Sequence, residues 1–210
     1  MSGILAAARR GLRGVVTAWR ANVDFRTFVR QTRFARSDQV RGEVFAEMPT
    51  MRLILISIGR LKQGPERELA ERYRERFDDL GRKLGFRGLD IHEIAESRAR
   101  DGATRVTKEA AAISAAIPEK SLLVALDERG ENIDSATFAG HLGRWREQQV
   151  PNTIFAIGGA DGLSPELRRK AKLTMAFGCA TWPHQMVRIM VLEQIYRAAT
   201  ILAGHPYHRA

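Results

Sequence analysis

Apolar and polar positions alternate along residues 51–210 in a pattern that predicts strands separated by helices. Apolar, β-branched runs of strand length recur along this segment, and turn signals or charged amphipathic stretches follow them. The predicted strands are residues 52–58, 89–94, 121–126, 153–157 and 173–177. The predicted helices are residues 65–84, 107–117, 135–149, a short segment from Ser164, and 185–203. This order indicates an α/β fold, a mostly parallel sheet with helices on both faces.

Local signals mark the ends of several elements. Asp134 or Ser135 is predicted to cap the helix at 135–149, and Ser164 to cap the next helix, with Pro165 at its first position. The polar sequence DERG at 127–130 predicts a turn immediately after the third strand.

The last predicted helix, residues 185–203, is apolar over nearly its whole circumference. Its length would suit a membrane span, but Arg188, Glu193, Gln194 and Arg197 interrupt its middle, and charges are costly at bilayer depth. A helix with two apolar faces is better explained by packing on its own domain on one side and on a second subunit on the other. The pattern therefore predicts a homodimer away from the membrane, and it spaces Glu193 and Arg197 for a salt bridge.

Charge and cysteine content narrow the class of protein. The chain has 210 residues and a formal net charge of +10, which favours a polyanionic partner, with nucleic acid as the first candidate. The single cysteine, Cys179, excludes an internal disulfide framework and a cysteine zinc cluster. Its apolar surroundings favour a small buried residue over a nucleophile. Because no signal-peptide pattern is present, a cytoplasmic location is expected.

Residues 1–50 differ in composition from the rest of the chain. They contain nine arginines, no lysine and four acidic residues, a net +5 that is half of the total charge of +10. Three interpretations compete: a flexible basic arm for RNA, an arginine-rich targeting peptide, or translated upstream sequence with Met51 as the true start. We favour the third, because a self-contained domain spans residues 51–210.

Three strand ends stand out as candidate ligand sites, since ligands of parallel α/β sheets bind beyond the carboxyl ends of the strands. They are Leu126-Asp127, Ile157-Gly158-Gly159 and residues 177–182. The glycine-rich loop lacks both the P-loop pattern and G-x-G-x-x-G, which argues against a nucleotide triphosphatase and a dinucleotide dehydrogenase. On its own, a Gly-Gly turn after a strand is more often structural than ligand-binding.

No metal site is predicted. His205 and His208 are three residues apart, but Pro206 prevents a helix between them, and no cysteine or carboxylate lies nearby in the sequence. Zinc needs three or four ligands, which this segment does not offer.

Several motifs stand together in the order and spacing of one family. They are Leu126-Asp127, FAIGGADGLS at 155–164, TWPH at 181–184 followed by Arg188, and HPYHR at 205–209. With these motifs the sequence resembles the RlmH (YbeA-type) large-subunit ribosomal RNA methyltransferases, the smallest of the SPOUT class. The resemblance covers residues 51–210, and it departs at Ala210, where that family often has an acidic residue.

The resemblance implies a fold, a reaction and a cofactor site. The C-terminal segment would form a trefoil knot, and the protein would be an obligate homodimer. The reaction would be S-adenosylmethionine-dependent methylation of N3 of a pseudouridine in 23S ribosomal RNA, which needs alignment of the nucleophile and loss of the N3 proton but no metal. By family analogy the cofactor contacts are Leu126, Gly158, Phe177, Gly178, Cys179, Ala180, Thr181 and Trp182.

The C-terminal tail contains side chains suited to this chemistry. His205, Tyr207 and His208 can accept or relay a proton near neutral pH. Arg188 and Arg209 are expected to hold a phosphate or a uracil carbonyl. The histidine at the start of the last helix, His184, is expected to shape the cofactor loop.

Basic residues between positions 65 and 105 are candidates for rRNA phosphate contacts, although they equally fit solvated helix faces. They are Arg67, Arg72, Arg74, Arg76, Arg82, Lys83, Arg98, Arg100 and Arg105. A competing hypothesis from another class is a basic ribosome-binding or assembly factor without catalysis. Methyl transfer to ribosomes that lack the modification separates the two.

Overall fold

The computed structural model describes residues 50–207. The interpretations of residues 1–50 as a basic extension or upstream sequence therefore fall outside the described part, apart from its last residue. The predictions for His208 and Arg209 also lie outside it.

Five strands form one sheet in the order β2-β1-β4-β3-β5, and every neighbouring pair is parallel. The strands are β1 Met51–Ile58, β2 Phe86–Ile94, β3 Ser121–Glu131, β4 Asn152–Ile157 and β5 Leu173–Met175. The predicted parallel α/β sheet is thus confirmed. Its carboxyl ends are level at the centre, because Leu126 pairs with both Ile157 and Met175.

Helices connect the strands and continue beyond the last one. They are α1 Pro65–Gly81, α2 Gly102–Ala116, α3 Ser135–Glu147, α4 Pro165–Lys170 and α5 His184–Leu202. The predicted end of α1 near Leu84 is corrected, since residues 82–84 form a 3₁₀ turn closed by Gly85 in the left-handed region at φ 85°. The predicted start of α2 at Thr107 is also too late, because Asp101 caps the helix by accepting a hydrogen bond from the amide of Thr104 at 2.7 Å.

The predicted caps of α3 and α4 are present. The Asp134 carboxylate accepts a hydrogen bond from the amide of Thr137 at 2.6 Å. The Ser164 hydroxyl accepts one from the amide of Leu167 at 3.2 Å, with Pro165 at the first helical position. These side chains satisfy amide groups that have no partner inside the helix.

The segment 127–130 interrupts the pairing of β3 and β5 instead of ending β3. Both Leu126 and Glu131 of β3 pair with Met175 of β5. The residues between them therefore have no partner in β5 and loop out of the ladder. At Gly130, a Cβ would lie 2.6 Å from the backbone of Met175, which shows how closely the returning chain approaches β5. The predicted turn at 127–130 is thus present as an outward loop, but the prediction that the strand ends at residue 126 was wrong, because β3 continues to Glu131.

Side chains of alternating positions divide the core between the two faces of the sheet. Leu53 and Leu55 of β1 pack with α1, α3 and α5, whereas Ile54 and Ile56 pack with α2 and α4. All four are at most 3% exposed. This alternation follows from the two-residue period of a strand, and it confirms that helices cover both faces. The trefoil knot stays a prediction.

Helix α5 packs lengthwise on its own domain. Its buried apolar residues are Ile189, Val191, Leu192, Ile195, Ala198 and Ala199. The predicted salt bridge between Glu193 and Arg197 is present, with Nη2 and Oε1 2.5 Å apart. Met186, near the start of the helix, is 40% exposed. Among residues 50–207, no helix is long and apolar enough to cross a membrane.

Candidate active site at the carboxyl end of the sheet

A cavity of about 440 Å³ lies where β3, β4 and β5 end. Residues 126–129, 157–163 and 175–184 without Cys179 form most of its wall. Seven of the eight residues predicted to bind the cofactor therefore surround one space: Leu126, Gly158, Phe177, Gly178, Ala180, Thr181 and Trp182. Their contact with a cofactor stays a prediction, but the structure brings them together.

Cys179 is the exception among the predicted cofactor residues. Its side chain is exposed and does not line the cavity. The expectation of a small buried residue was wrong, because the apolar neighbours in the sequence belong to a loop that projects from the sheet. The adjacent Gly178 has φ +87° and open space around it, so this loop turns sharply at a residue without Cβ.

The loop at 177–182 is held against β3 by polar contacts. The Gly178 amide donates to Oδ1 of Asn132 at 2.7 Å, and the Trp182 indole N–H donates to the carbonyl of Phe177 at 2.9 Å. The Thr181 hydroxyl donates to Oε2 of Glu128 at 3.3 Å. These bonds close the loop on itself and fix the wall of the cavity on the β5 side.

The opposite wall is the glycine-rich turn after β4. The Gly159 carbonyl accepts a hydrogen bond from the amide of Gly162 at 3.0 Å, which folds the turn back over Gly158. A Cβ on Gly158 would lie only 2.5 Å from the carbonyl carbon of Gly162. The backbone crosses itself here more closely than any other residue type allows.

Two of the three acidic side chains of the cavity wall, Asp127 and Asp161, are paired with arginines from neighbouring elements, whereas the third, Glu128, accepts a hydrogen bond from Thr181. Asp127 Oδ2 lies 3.2 Å from Nη1 of Arg168 on α4. Asp161 accepts two hydrogen bonds from Arg105 on α2, at 2.7 and 3.1 Å. The Arg105 guanidinium lowers the pKa of the Asp161 carboxyl, so both charges are retained at neutral pH and the local field is largely cancelled.

Arg188 lies at the edge of this site but inside the protein, only 1% exposed. Its Nη2 donates to the carbonyls of Ile58 at 2.5 Å and Gly59 at 2.8 Å, and its Nη1 donates to Oε1 of Glu93 at 2.9 Å. The prediction that Arg188 holds a phosphate or a uracil carbonyl does not fit this geometry, because the guanidinium is already bound to the ends of β1 and β2. His184 lines the cavity one turn earlier.

The tail residues His205 and Tyr207 lie beyond the other end of α5. The Tyr207 ring packs on Tyr196, with centroids 4.9 Å apart, and its hydroxyl donates to Oε1 of Glu193 at 3.3 Å. Burial raises the pKa of the Tyr207 hydroxyl, and the Glu193 carboxylate raises it further. The His205 Nδ1 accepts a hydrogen bond from the Tyr207 amide at 3.1 Å.

Sequence reasoning missed the polar residues that connect the loops of the site. Glu93, Asn132 and Asp161 had no assigned role, and Arg105 was counted among phosphate contacts although it pairs with Asp161. Their partners are 32 to 95 residues away in the sequence, so no local spacing indicates them. Within residues 50–207, no group of three or more histidine, cysteine or acidic side chains is arranged for a metal ion.

Residues 51–208 match the model of a family described as predicted SPOUT methyltransferase. The chain belongs to this family. It is 80% identical over 160 residues to ribosomal RNA large subunit methyltransferase H of Bradyrhizobium sp. (strain ORS 278), covering 76% of this chain and 99% of that protein. It is 79% identical over 160 residues to the protein of that name from Rhodopseudomonas palustris (strain BisB5), covering 76% of this chain and 100% of that one.

Among solved structures, the SPOUT methyltransferase chain bears a distant likeness to the SpoU methyltransferase AviRb of Streptomyces viridochromogenes, crystallised with AdoMet. The two share 15% sequence identity over 82% of this chain and 64% of that chain, with a TM-score of 0.34. The family assignment rests on the family model and the close relatives instead.

Proposed function

We propose that this SPOUT methyltransferase modifies large-subunit ribosomal RNA with S-adenosylmethionine as methyl donor. The observation that supports it most directly is the single cavity formed by the predicted cofactor residues at the carboxyl end of the sheet. The relatives named ribosomal RNA large subunit methyltransferase H align over nearly their whole length at up to 80% identity. The finer proposal is methylation of N3 of a pseudouridine in 23S rRNA, on cytoplasmic ribosomes.

The cavity fits S-adenosylmethionine in size and chemistry. Its volume of about 440 Å³ lies in the range of small-molecule sites. Leu126, Ile157 and Met175 offer an apolar wall for an adenine ring, and the exposed backbone at Gly178 is available for polar contacts. When bound, the cofactor supplies an electrophilic methyl group on its sulfonium. The chain's task is then to align the nucleophile and remove a proton.

The two described tail residues fit supporting roles better than that of base. The raised pKa of Tyr207 keeps its hydroxyl protonated near neutral pH, so it donates hydrogen bonds and does not take up the N3 proton. The Nδ1 atom of His205 is already engaged, because it accepts a hydrogen bond from the Tyr207 amide. We therefore assign proton acceptance to His208 and a phosphate or uracil carbonyl contact to Arg209, following the family resemblance.

Helix α5 separates the tail from the cavity of the same chain. His184, at its first residue, lines the cavity, whereas Tyr207 follows its last turn. With 19 residues, the helix is about 28 Å long at 1.5 Å per residue. This length supports the proposal that the catalytic tail comes from a second copy, in a homodimer. Trp182 and Met186, 45% and 40% exposed beside the cavity, suit such an interface.

The function is tested by incubating the full chain with radiolabelled S-adenosylmethionine and ribosomes that lack the modification. We expect label in 23S rRNA, and mass spectrometry of the digested rRNA should identify N3-methylpseudouridine. Label at another nucleotide would reject the finer proposal. Absence of any label, with cofactor binding intact by calorimetry, would favour the non-catalytic ribosome-binding hypothesis.

Mixing two inactive variants tests the shared site. Gly158→Ala disrupts the cofactor wall of the cavity, and His205→Ala with His208→Ala removes both histidines of the tail. If the tail acts on the partner's cavity, randomly mixed dimers should recover about a quarter of wild-type turnover, because half of them contain one complete site of two. The control is each variant taken alone through the same mixing procedure, which should stay inactive. Mixtures that stay inactive, although mass spectrometry detects heterodimers, would place tail and cavity in the same chain.

A further inference from the structure

The connection between β2 and α2, residues 95–101, projects two arginines beside the cavity. We call this segment the arginine loop. Arg98 and Arg100 are both exposed, and within residues 50–207 neither forms a salt bridge. Four other residues of the predicted phosphate set are engaged: Arg67 with Glu93, Arg74 with Glu71 and Asp78, Arg76 over Tyr196, and Arg105 with Asp161. Arg72 on α1 and Arg82 and Lys83 in the 3₁₀ turn before β2 also form no salt bridge within the described residues, but they lie outside the loop.

Two side chains one turn apart on α2 hold the arginine loop in place. The Arg105 Nη1 donates to the carbonyls of Ala99 at 3.1 Å and Arg100 at 2.9 Å. The Glu109 Oε1 accepts from the amide of Ser97 at 2.9 Å. The backbone on either side of Arg98 is thus fixed by groups that belong to a helix.

The same two side chains also contact the glycine-rich turn of the cavity. Arg105 binds Asp161 through two nitrogens. Glu109 is only 6% exposed, and its Oε2 faces Gly159, where a Cβ would approach it to 2.7 Å. A Cβ on Gly102, at the start of α2, would lie 2.9 Å from Asp161. The arginine loop and the cavity wall are therefore packed against one another through α2.

A third cation lies next to the loop. Lys108 on α2 and Arg98 line a recess of about 420 Å³ whose other walls include Ala95, Ala99 and Ala112. Small side chains leave the cationic groups approachable. Of the acidic residues in the loop, Asp101 is used as the cap of α2, and Glu96 lies against Gly59 on the side of Arg188.

We propose that the arginine loop binds backbone phosphates of the rRNA substrate and so positions the target nucleotide at the cavity. The inference rests on the proposed rRNA substrate and adds where the protein holds it. A guanidinium donates paired hydrogen bonds to phosphate oxygens. Because Arg105 and Glu109 already fix the loop, less conformational entropy is lost when RNA binds. Because Asp161 and Asp127 are paired with arginines, the cavity wall repels the phosphates less than unpaired carboxylates would.

The proposal is tested by the salt dependence of binding to ribosomes that lack the modification. The double variant Arg98→Ala with Arg100→Ala should bind about tenfold more weakly near physiological salt. It should also lower the slope of log affinity against log salt by about 1.5, since each lost phosphate contact contributes roughly 0.7 to 0.9. Its affinity for S-adenosylmethionine, measured by calorimetry, should stay unchanged.

The matched control is Arg169→Ala with Lys172→Ala. It removes the same charge from two exposed residues that precede β5, at the opposite edge of the sheet, and should leave the slope unchanged. An equal change in both double variants would mean a general charge effect and would overturn the proposal. An unchanged salt slope in the loop variant would also overturn the proposal. Weaker binding without a change of slope would do the same, because it would indicate a contact with ribosomal protein instead of phosphate. Methyl transfer by the wild type, assayed in parallel, reports separately on the proposed function.

Discussion

Replacing Gly158 by alanine is expected to lower the affinity for S-adenosylmethionine by about 100-fold or more. The added Cβ would lie 2.5 Å from the carbonyl carbon of Gly162, 2.6 Å from its oxygen and 2.8 Å from the amide nitrogen of Leu163. All three are backbone atoms, so no side-chain rotation relieves the overlap and the turn has to open. Overpacking of this kind costs about 1–3 kcal/mol, and about 2.7 kcal/mol corresponds to 100-fold in affinity. Calorimetric titration measures the change.

Two other glycines make the test specific. Gly162 has φ +78°, but an added Cβ there would meet nothing within 4 Å. Gly162→Ala should therefore lose only the conformational energy of a left-handed non-glycine residue, about 1–2 kcal/mol, without the steric overlap expected at Gly158. Gly140, inside α3, would place its Cβ 3.7 Å from Arg144, and Gly140→Ala should bind normally and be stabilised by about 0.5–1 kcal/mol. Binding by Gly158→Ala within threefold of wild type would contradict the assignment of the turn as a cofactor wall.

The architecture was predictable because it depends on local periodicity. The apolar runs of β1 and β4 and the amphipathic stretch of α1 each have the period of one element, and their order alone specifies a parallel sheet. The position of the site followed from the same order, since the loops after β3, β4 and β5 must meet at one edge. Boundaries were less accurate: the start of α2 depends on a cap at Asp101, which stands within a charged segment without hydrophobic pattern.

What the sequence could not indicate are contacts between distant segments. Asp161 and Arg105 are 56 residues apart, and Glu109 shows only charge, not that it is packed beneath Gly159. The family resemblance supplied the tail residues as catalytic groups, and the predicted helix at 185–203 already placed a 19-residue helix between them and the cavity loop, as α5 does in the structure. Cys179 was misjudged for a related reason, since apolar neighbours in a sequence do not show whether a loop faces inward.

Arg188→Met is expected to lower the free energy of unfolding by about 3 kcal/mol, the lower part of the range for breaking a buried ion pair. Arg188 is 1% exposed, and methionine cannot donate to the Ile58 and Gly59 carbonyls or compensate Glu93. We expect a loss at the lower end of this range because the Glu93 carboxylate still accepts a hydrogen bond from the Leu61 amide at 2.7 Å. Burial lowers the pKa of the Arg188 guanidinium, and the nearby Glu93 carboxylate opposes this shift.

A double-variant cycle in urea, at fixed protein concentration because a dimer is proposed, separates structural from substrate roles. Adding Glu93→Gln to Arg188→Met removes a carboxylate that has lost its buried partner and keeps only the more exposed Arg67, 3.7 Å away. The double variant should therefore recover part of the lost free energy, whereas two independent losses would simply add. If instead Arg188→Met unfolds like wild type but loses rRNA methylation, the arginine contacts substrate as its sequence motif suggested. Loss of stability with partial recovery in the double variant would show that Arg188 acts by joining α5 to the ends of β1 and β2. Arg188 would then affect the reaction only indirectly, by fixing the position of His184 in the cavity wall.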